Sequence, residues 1–128
     1  MTPRPGRILI VDDERSFGVT LRMLLMDLHE VAYTPRAKEA LEWIREGRRY
    51  DAILCDLMMA EVTGRQFHEA LREHAPEQAL RIIFMTGGAY TPSSREFVEQ
   101  TTLPLITKPF KREALDLLLV PLLSARMH

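Results

Sequence analysis

The 128-residue chain has little of several features that mark particular classes of protein. Its single cysteine, Cys55, excludes an internal disulfide and is typical of a reducing compartment. Its apolar runs fall well short of the roughly 18–20 residues that a membrane span needs. The proline-rich start, MTPRPGR, does not resemble a signal peptide. We therefore expect a cytoplasmic protein, or a cytoplasmic piece of a larger one, without membrane contact.

An excess of charge of one sign is also missing. Seventeen Lys and Arg residues face eighteen Asp and Glu residues, so nothing predicts binding to nucleic acid. The sequence shows no internal repeat, low-complexity segment or internal linker. Its length indicates one domain, 1–128, with a core over 7–123, and its 46% hydrophobic composition is ordinary for a globular protein.

Apolar runs typical of buried strands alternate with segments of helical periodicity along the chain. The third helix is predicted to begin near Gly64 and to stop before Pro76, and Thr91 with Pro92 is typical of a helix N-terminus. The alternation predicts an α/β fold, a doubly wound parallel sheet of five strands with helices on both faces. Strands are expected at 7–11, 29–34, 50–56, 80–88 and 103–107, and a last helix at 111–123.

Polar side chains stand at the carboxyl ends of four predicted strands. Asp12 and Asp13 follow the first strand, and Asp56 ends the third. Thr86 ends the fourth, and Lys108 follows the fifth. Because the carboxyl ends of parallel strands meet at one edge, these groups should share a crevice. Each residue alone is an ordinary loop or surface residue, but together three carboxylates and one ammonium group leave a negative excess that Mg²⁺ would neutralise.

Four motifs, in this order, give the chain a resemblance to a known family: ILIVDDE (8–14), ILCDLMMAEVTG (53–64), MTGG (85–88) and KPF (108–110). Together they resemble the receiver domain of two-component response regulators, over residues 7–123. The resemblance implies the flavodoxin-like (CheY-like) strand order 2-1-3-4-5. It also implies a phosphoacceptor signalling domain of a phosphorelay, whose partner is a histidine kinase or a histidine phosphotransfer protein.

The resemblance further assigns metal-binding roles to individual residues. Asp13 matches the direct ligand of Mg²⁺ (or Mn²⁺), and Asp12 would hold the metal mainly through water. Asp56 and the main-chain carbonyl of Met58 would complete the protein ligands.

The resemblance assigns the chemistry to three side chains. Asp56 matches the phosphoacceptor, a carboxylate that forms an acyl phosphate. Lys108 would pair with Asp56 at rest and with a phosphoryl oxygen afterwards, and Thr86 would donate its hydroxyl to the phosphoryl group. The Lys108–Pro109 peptide bond is expected to be cis. Such a domain catalyses its own phosphorylation and dephosphorylation and is not a stand-alone turnover enzyme.

The sequence departs from the family pattern near the site. Leu105 stands where relatives carry the aromatic switch residue, so we expect phosphorylation to be read out by loop movement or by the phosphate itself. Ala60 replaces a frequent proline, which predicts a looser loop after Asp56. Met58 and Gly88 offer no polar group to orient an attacking water, which predicts slow autodephosphorylation.

The last predicted helix carries more apolar residues than one face can bury. In ALDLLLVPLL (114–123) only Asp116 is polar, so some leucines should be exposed. Exposed apolar surface indicates a partner, here a homodimer or a docked domain, although a helix that folds back over the sheet edge is an equal alternative.

Other functions stay open at this point. A degenerate receiver would act as a phosphorylation-independent scaffold, which Leu105 favours and the complete set of acidic residues, Thr86 and Lys108 disfavours. A flavodoxin-like flavin protein would need a phosphate-binding loop where Asp12, Asp13 and Glu14 would repel phosphate. A phosphatase with a nucleophilic aspartate would place its two acids two residues apart. The chain fits a single-domain regulator or, slightly better, the C-terminal receiver of a hybrid histidine kinase.

Overall fold

A computed structural model describes residues 2–88 and 90–124. These residues form five strands and six helices, which alternate as predicted except that two helices lie between the third and fourth strands. The strands are β1 (Arg7–Val11), β2 (Glu30–Thr34), β3 (Ala52–Asp56), β4 (Ile82–Thr86) and β5 (Leu105–Thr107). The helices are α1 (Arg15–Leu25), α2 (Ala37–Arg45), α3 (Gly64–His74), α4 (Pro76–Ala79), α5 (Pro92–Gln100) and α6 (Arg112–Ser124).

The strands form one parallel sheet in the order β2-β1-β3-β4-β5. This confirms the doubly wound five-stranded sheet and its strand order. Chain order reverses between β1 and β3, because β2 lies on one side of β1 and β3 on the other. In such sheets, ligands bind at this switch point, beyond the carboxyl ends of the strands.

Two hydrophobic clusters cover the faces of the sheet. Alternate residues of each central strand point to opposite faces, so Leu54 packs with α1 and α6 while Ile53 packs with α2 and α3. The middle residues of β1, β3 and β4 have no exposed surface. This double coverage explains why these strands are continuous apolar runs rather than alternating ones.

Helices α3 and α5 begin at the predicted positions. Thr63 caps α3 by accepting a hydrogen bond from the Gln66 backbone N–H at 3.2 Å, and the Gln66 side chain accepts one from the Thr63 N–H at 2.9 Å. Thr91 caps α5 with Pro92 in the first helical position, as expected.

The sequence prediction did not include a short helix that follows α3. The helix ends at His74, but the four-residue helix α4 begins directly at Pro76. Proline in a first helical turn loses no hydrogen bond, and four residues are too few to show a periodic pattern.

The C-terminal helix buries more of its leucines than its composition suggests. Leu115, Leu119 and Leu123 are fully buried at intervals of four residues, whereas Leu117 is 64% exposed. Leu118 and Leu122 pack partly against the cluster that α1 shares. The expected exposed apolar surface is therefore present but narrow. Among the described residues, no helix combines the length and apolarity that crossing a bilayer requires.

Candidate functional site

The three predicted acidic residues meet at the switch point. Asp12 and Asp13 follow β1, and Asp56 ends the neighbouring strand β3. One carboxylate oxygen from each lies within 4.8 Å of the others. Like charges at this distance repel strongly when they are removed from water, so this edge requires positive charge.

Asp12 is completely buried, and its charge is compensated directly. Its Oδ2 accepts a hydrogen bond from Lys108 Nζ at 2.8 Å, and its Oδ1 accepts one from the Glu14 backbone N–H at 2.9 Å. The Tyr33 hydroxyl donates to the Asp12 main-chain oxygen at 2.8 Å. Side chain and backbone of Asp12 are therefore both held in one position.

Lys108 is the cation that forms ion pairs with Asp12 and Asp56. Its Nζ lies 3.6 Å from Glu14 Oε1, 3.7 Å from Asp56 Oδ1 and 4.3 Å from the centre of the Phe17 ring. Burial lowers the pKa of Lys108, but the hydrogen bond to Asp12 and the charges of Asp56, Asp12 and Glu14 outweigh burial and raise it. The lysine is therefore charged at neutral pH.

The predicted resting pair of Lys108 and Asp56 is present as the longest of the three ion-pair contacts of Lys108. Lys108 lies at ion-pair distance from Asp56, but its hydrogen bond is to Asp12. Both carboxylates also accept a backbone hydrogen bond, from Glu14 for Asp12 and from Met58 for Asp56, but Asp12 is the more deeply buried of the two and therefore gains more from the cation.

The surroundings of Asp56 raise the pKa of its carboxyl group. Burial, followed by the negative charge of Asp12, raises the pKa of Asp56 from 3.8 to about 6, although Lys108 and the Met58 backbone act in the opposite direction. The edge thus retains a negative excess that one lysine does not cancel. A divalent cation among these carboxylates would relieve it.

Asp13 connects this edge to the loop after β3. Its side chain is exposed, and its Oδ2 accepts a hydrogen bond from the Ala60 backbone N–H at 2.9 Å. The Met58 side chain contacts helix α5, since its Sδ accepts a hydrogen bond from Ser94 Oγ at 3.2 Å. The donor set is oxygen only, which fits Mg²⁺ or Mn²⁺.

Thr86 lies on the adjacent strand and is fully buried. Its hydroxyl accepts a hydrogen bond from the Gly88 N–H at 3.1 Å, and its carbonyl accepts one from the Lys108 N–H at 2.7 Å. Gly88 has a φ of +93°, which side chains rarely tolerate. The Lys108–Pro109 bond is cis, as expected. Leu105 pairs with Phe84 and packs against the core without a polar group.

Sequence patterns missed two supporting aromatic residues. Phe17, in the first turns of α1, packs against Lys108, and Tyr33 at the end of β2 holds the Asp12 backbone. Gly18 lets Tyr33 approach, because a Cβ at this glycine would lie 2.1 Å from the ring. Phe17 and Lys108 are 91 residues apart in the chain, so no local signal reveals the contact.

Comparison with known proteins identifies the family. The model of the response regulator receiver domain matches residues 8–119. The chain belongs to the response regulator receiver domain family. Such domains serve two-component signalling through phosphoryl transfer to an aspartate, they generally bind Mg²⁺ in an acidic pocket, and they interact with histidine kinases or phosphotransfer proteins.

Curated relatives are larger proteins that contain a similar domain. The response regulator Rre1 of Synechocystis is 28% identical over 122 residues, covering 94% of this chain and 52% of Rre1. The 3',5'-cyclic-nucleotide phosphodiesterase regA of Dictyostelium discoideum is 29% identical over 117 residues, covering 89% of this chain and 15% of regA. This receiver domain thus spans about half or less of these relatives.

Solved structures have the same fold. The receiver domain of the sensor histidine kinase PA1611 from Pseudomonas aeruginosa, with a magnesium ion in its active-site cleft, is 25% identical with a TM-score of 0.78. The alignment covers 94% of this chain and 98% of that one. A response regulator receiver domain from Clostridium thermocellum has a TM-score of 0.80 at 20% identity, covering 94% of this chain and 96% of that one.

Proposed function

We propose that this receiver domain accepts a phosphoryl group on Asp56 from a phosphohistidine of a partner histidine kinase or phosphotransfer protein, with Mg²⁺ bound at the acidic edge. The cluster of Asp12, Asp13 and Asp56 beside Lys108 carries this proposal. The presence of Mg²⁺ in the cleft of the similar PA1611 receiver domain supports it.

The reaction requires a nucleophile in its charged form. A carboxylate oxygen of Asp56 attacks phosphorus, a P–O bond forms, the P–N bond to the imidazole breaks, and the imidazole takes the electron pair. With a pKa of about 6, Asp56 is mostly ionised at pH 7 even without metal. Asp56 is only 7% exposed, which restricts the directions from which a phosphoryl group can reach its carboxylate.

The other residues of the site would position the phosphoryl group and neutralise its charge. Mg²⁺ (or Mn²⁺), held by Asp12, Asp13, Asp56 and the Met58 carbonyl, would supply positive charge to the phosphoryl oxygens. Lys108 would replace its contact with Asp56 by one with a phosphoryl oxygen and would keep its hydrogen bond to Asp12. Thr86 would exchange its contact with Gly88 for a hydrogen bond from its hydroxyl to the phosphoryl group.

The first test is the intact mass after incubation with acetyl phosphate and Mg²⁺. We expect one phosphoryl adduct, which is lost in the Asp56→Asn variant and after metal removal. Asp51→Asn, which alters another aspartate at the opposite end of β3, should keep the adduct. An adduct that persists in Asp56→Asn would contradict the assignment. No adduct together with intact Mg²⁺ binding would favour the phosphorylation-independent scaffold.

We further propose that the acyl phosphate is long-lived. The Met58 side chain is turned toward Ser94, and Gly88 has no side chain, so neither orients a water for attack. After removal of donor, the adduct should decay slowly, and Met58→Asn should speed the decay several-fold. Unchanged decay in this variant would contradict the role of position 58.

Dimerisation or domain docking through α6 remains a prediction. Its exposed apolar surface centres on Leu117, because the buried leucines face the sheet. Light scattering with and without the phosphate mimic beryllofluoride tests dimerisation: we expect a mass increase that Leu117→Asp abolishes. A strict monomer at high concentration in both states would contradict it. Membership of a hybrid histidine kinase also remains a proposal.

A further inference from the structure

A groove of about 630 Å³ lies between α3 and α5 and shares no residue with the acidic cluster. Its apolar part is formed by Phe97 and Leu103, and Leu80, which is 71% exposed, forms one edge. Arg65 and Arg72 line its α3 side. Pockets of this size bind small organic molecules, typically with an apolar lining and a few polar groups.

His68 gives the groove a polar group among aromatic rings. Its ring centre lies 6.3 Å from that of Phe84 and 5.9 Å from that of Phe97. Burial, followed by the charge of Arg72, lowers the pKa of His68 below 6.5, although Glu69 opposes the shift. The imidazole is therefore largely neutral at pH 7. It offers a ligand one donor, one acceptor and a flat apolar face.

The charges lining the groove do not cancel. Arg65 Nε lies 3.2 Å from Glu69 Oε1, which pairs these two side chains. The side chain of Arg72 forms no hydrogen bond or ion pair with any residue in 2–88 or 90–124, so no carboxylate neutralises this guanidinium group, which lines the groove together with the exposed Leu80. An unpaired cation next to uncovered apolar surface is complementary to an anion with an apolar body.

We propose that the α3–α5 groove binds a small organic anion: a carboxylate, sulfonate or phosphate group attached to an aromatic or short apolar body. The anionic group would pair with Arg72, and the body would cover Phe97, Leu103 and Leu80. This site uses none of the clustered acidic residues Asp12, Asp13 and Asp56.

The groove is nevertheless connected to the elements that bear the acidic edge. Phe97 packs edge-on against Phe84 at 5.2 Å, and Phe84 lies on the same face of β4 as Thr86. Helix α5 also carries Ser94, which contacts Met58. An occupant of the groove therefore contacts the helix that borders the loop after Asp56.

The test uses 8-anilinonaphthalene-1-sulfonate, an aromatic sulfonate, with the unphosphorylated, metal-free chain. Fluorescence titration should show saturable binding, and amide NMR shifts should cluster at the groove, around Phe97 and Leu103. Arg72→Gln should weaken binding by about two- to fivefold, since an exposed ion pair to the sulfonate is lost. Arg95→Gln is the matched control, because Arg95 is exposed on α5 and does not line the groove.

The neutral analogue N-phenyl-1-naphthylamine separates the charge from the apolar body. It should bind more weakly than the sulfonate and respond equally to both variants. Three results would overturn the proposal: no saturable binding of the sulfonate, equal weakening by Arg72→Gln and Arg95→Gln, or shifts that map to the exposed α1 residues Val19 and Met23 instead. None of these results depends on Asp56, so failure here and failure of the phosphoacceptor assignment are distinguishable.

Discussion

The middle of the sheet and its carboxyl-terminal edge are similarly buried but differ in chemistry. Ile53 and Leu54 in β3 are fully enclosed by apolar side chains. Two residues later, Asp56 is 7% exposed beside two other carboxylates. Burial of the apolar side chains stabilises the fold. Burial of the carboxylates destabilises it unless a cation is bound beside them. One strand thus supports both the fold and a reactive group.

The largest expected effect lies in the apolar middle. Leu54→Ala should lower the free energy of unfolding by about 2–5 kcal/mol, because it leaves a cavity in a fully buried site. Leu117→Ala is the matched control, since this leucine is 64% exposed and its loss should cost less than about 1 kcal/mol. Urea unfolding of both variants checks the difference. Equal losses would mean that α6 is covered by a partner.

At the acidic edge, removing a charge should stabilise the metal-free protein. Asp56→Asn should raise the free energy of unfolding by about 1–3 kcal/mol at pH 8, because the folded pKa of about 6 exceeds the unfolded value of 3.8. Asp27→Asn is the opposite case: the hydrogen bond from Arg112 lowers the pKa of Asp27, so its removal should not stabilise.

The sign of this effect fixes its pH dependence. The pKa of Asp56 is higher in the folded state than in the unfolded state. Its protonated form therefore contributes stability that is fully present below about pH 3.8 and is lost as the pH rises through about 6. The advantage of Asp56→Asn should therefore be small near pH 4, grow between pH 4 and 6, and level off above pH 7. Denaturant titrations across this range measure it. A constant advantage at all pH values would contradict the electrostatic explanation.

Bound Mg²⁺ should offset the destabilisation that the clustered carboxylates cause in the metal-free protein. Mg²⁺ at ten times its dissociation constant should stabilise the wild type by about 1.4 kcal/mol. Asp13→Asn should reduce this gain strongly, because Asp13 supplies one of the three clustered carboxylates. Thermal unfolding with and without Mg²⁺ provides the measurement, with Asp51→Asn as a control that keeps the gain. Equal Mg²⁺ responses in Asp13→Asn and wild type would place the ion elsewhere.

The smallest expected effect concerns Thr63, a polar residue at the start of α3 that stabilises the fold. Thr63→Ala should cost about 1 kcal/mol, because it removes one half of the capping box of α3. Thr63→Ser should retain most of that stability. If both substitutions cost the same, the methyl group rather than the hydrogen bond matters.

Sequence patterns predicted most of the fold because burial leaves strong local signals. Continuous apolar runs located β1 with its observed bounds, and they located β3 and β4 with predicted ranges longer than the observed strands. Tyr50, placed in a strand, instead donates its N–H to the Gln78 side chain. Side chains provide such hydrogen bonds from distant segments, so the boundary has no local signature.

The same limit applies to the candidate site. The strand-end acids and Lys108 were predictable because parallel strands bring their carboxyl ends to one edge. The preference of Lys108 for Asp12 over Asp56 depends on relative depth, and the contact with Phe17 depends on how α1 packs. Neither depth nor packing is encoded in the spacing of these residues.

The most direct test of the difference between the two regions is the pKa of Asp56 itself. In metal-free protein labelled with ¹³C at aspartate carboxyls, NMR titration should place it near 6, with Asp56→Asn identifying the resonance. Added Mg²⁺ should shift the titration to clearly lower pH. A metal-free pKa near 3.8, or one that Mg²⁺ leaves unchanged, would contradict a negative excess at the acidic edge that a divalent cation relieves.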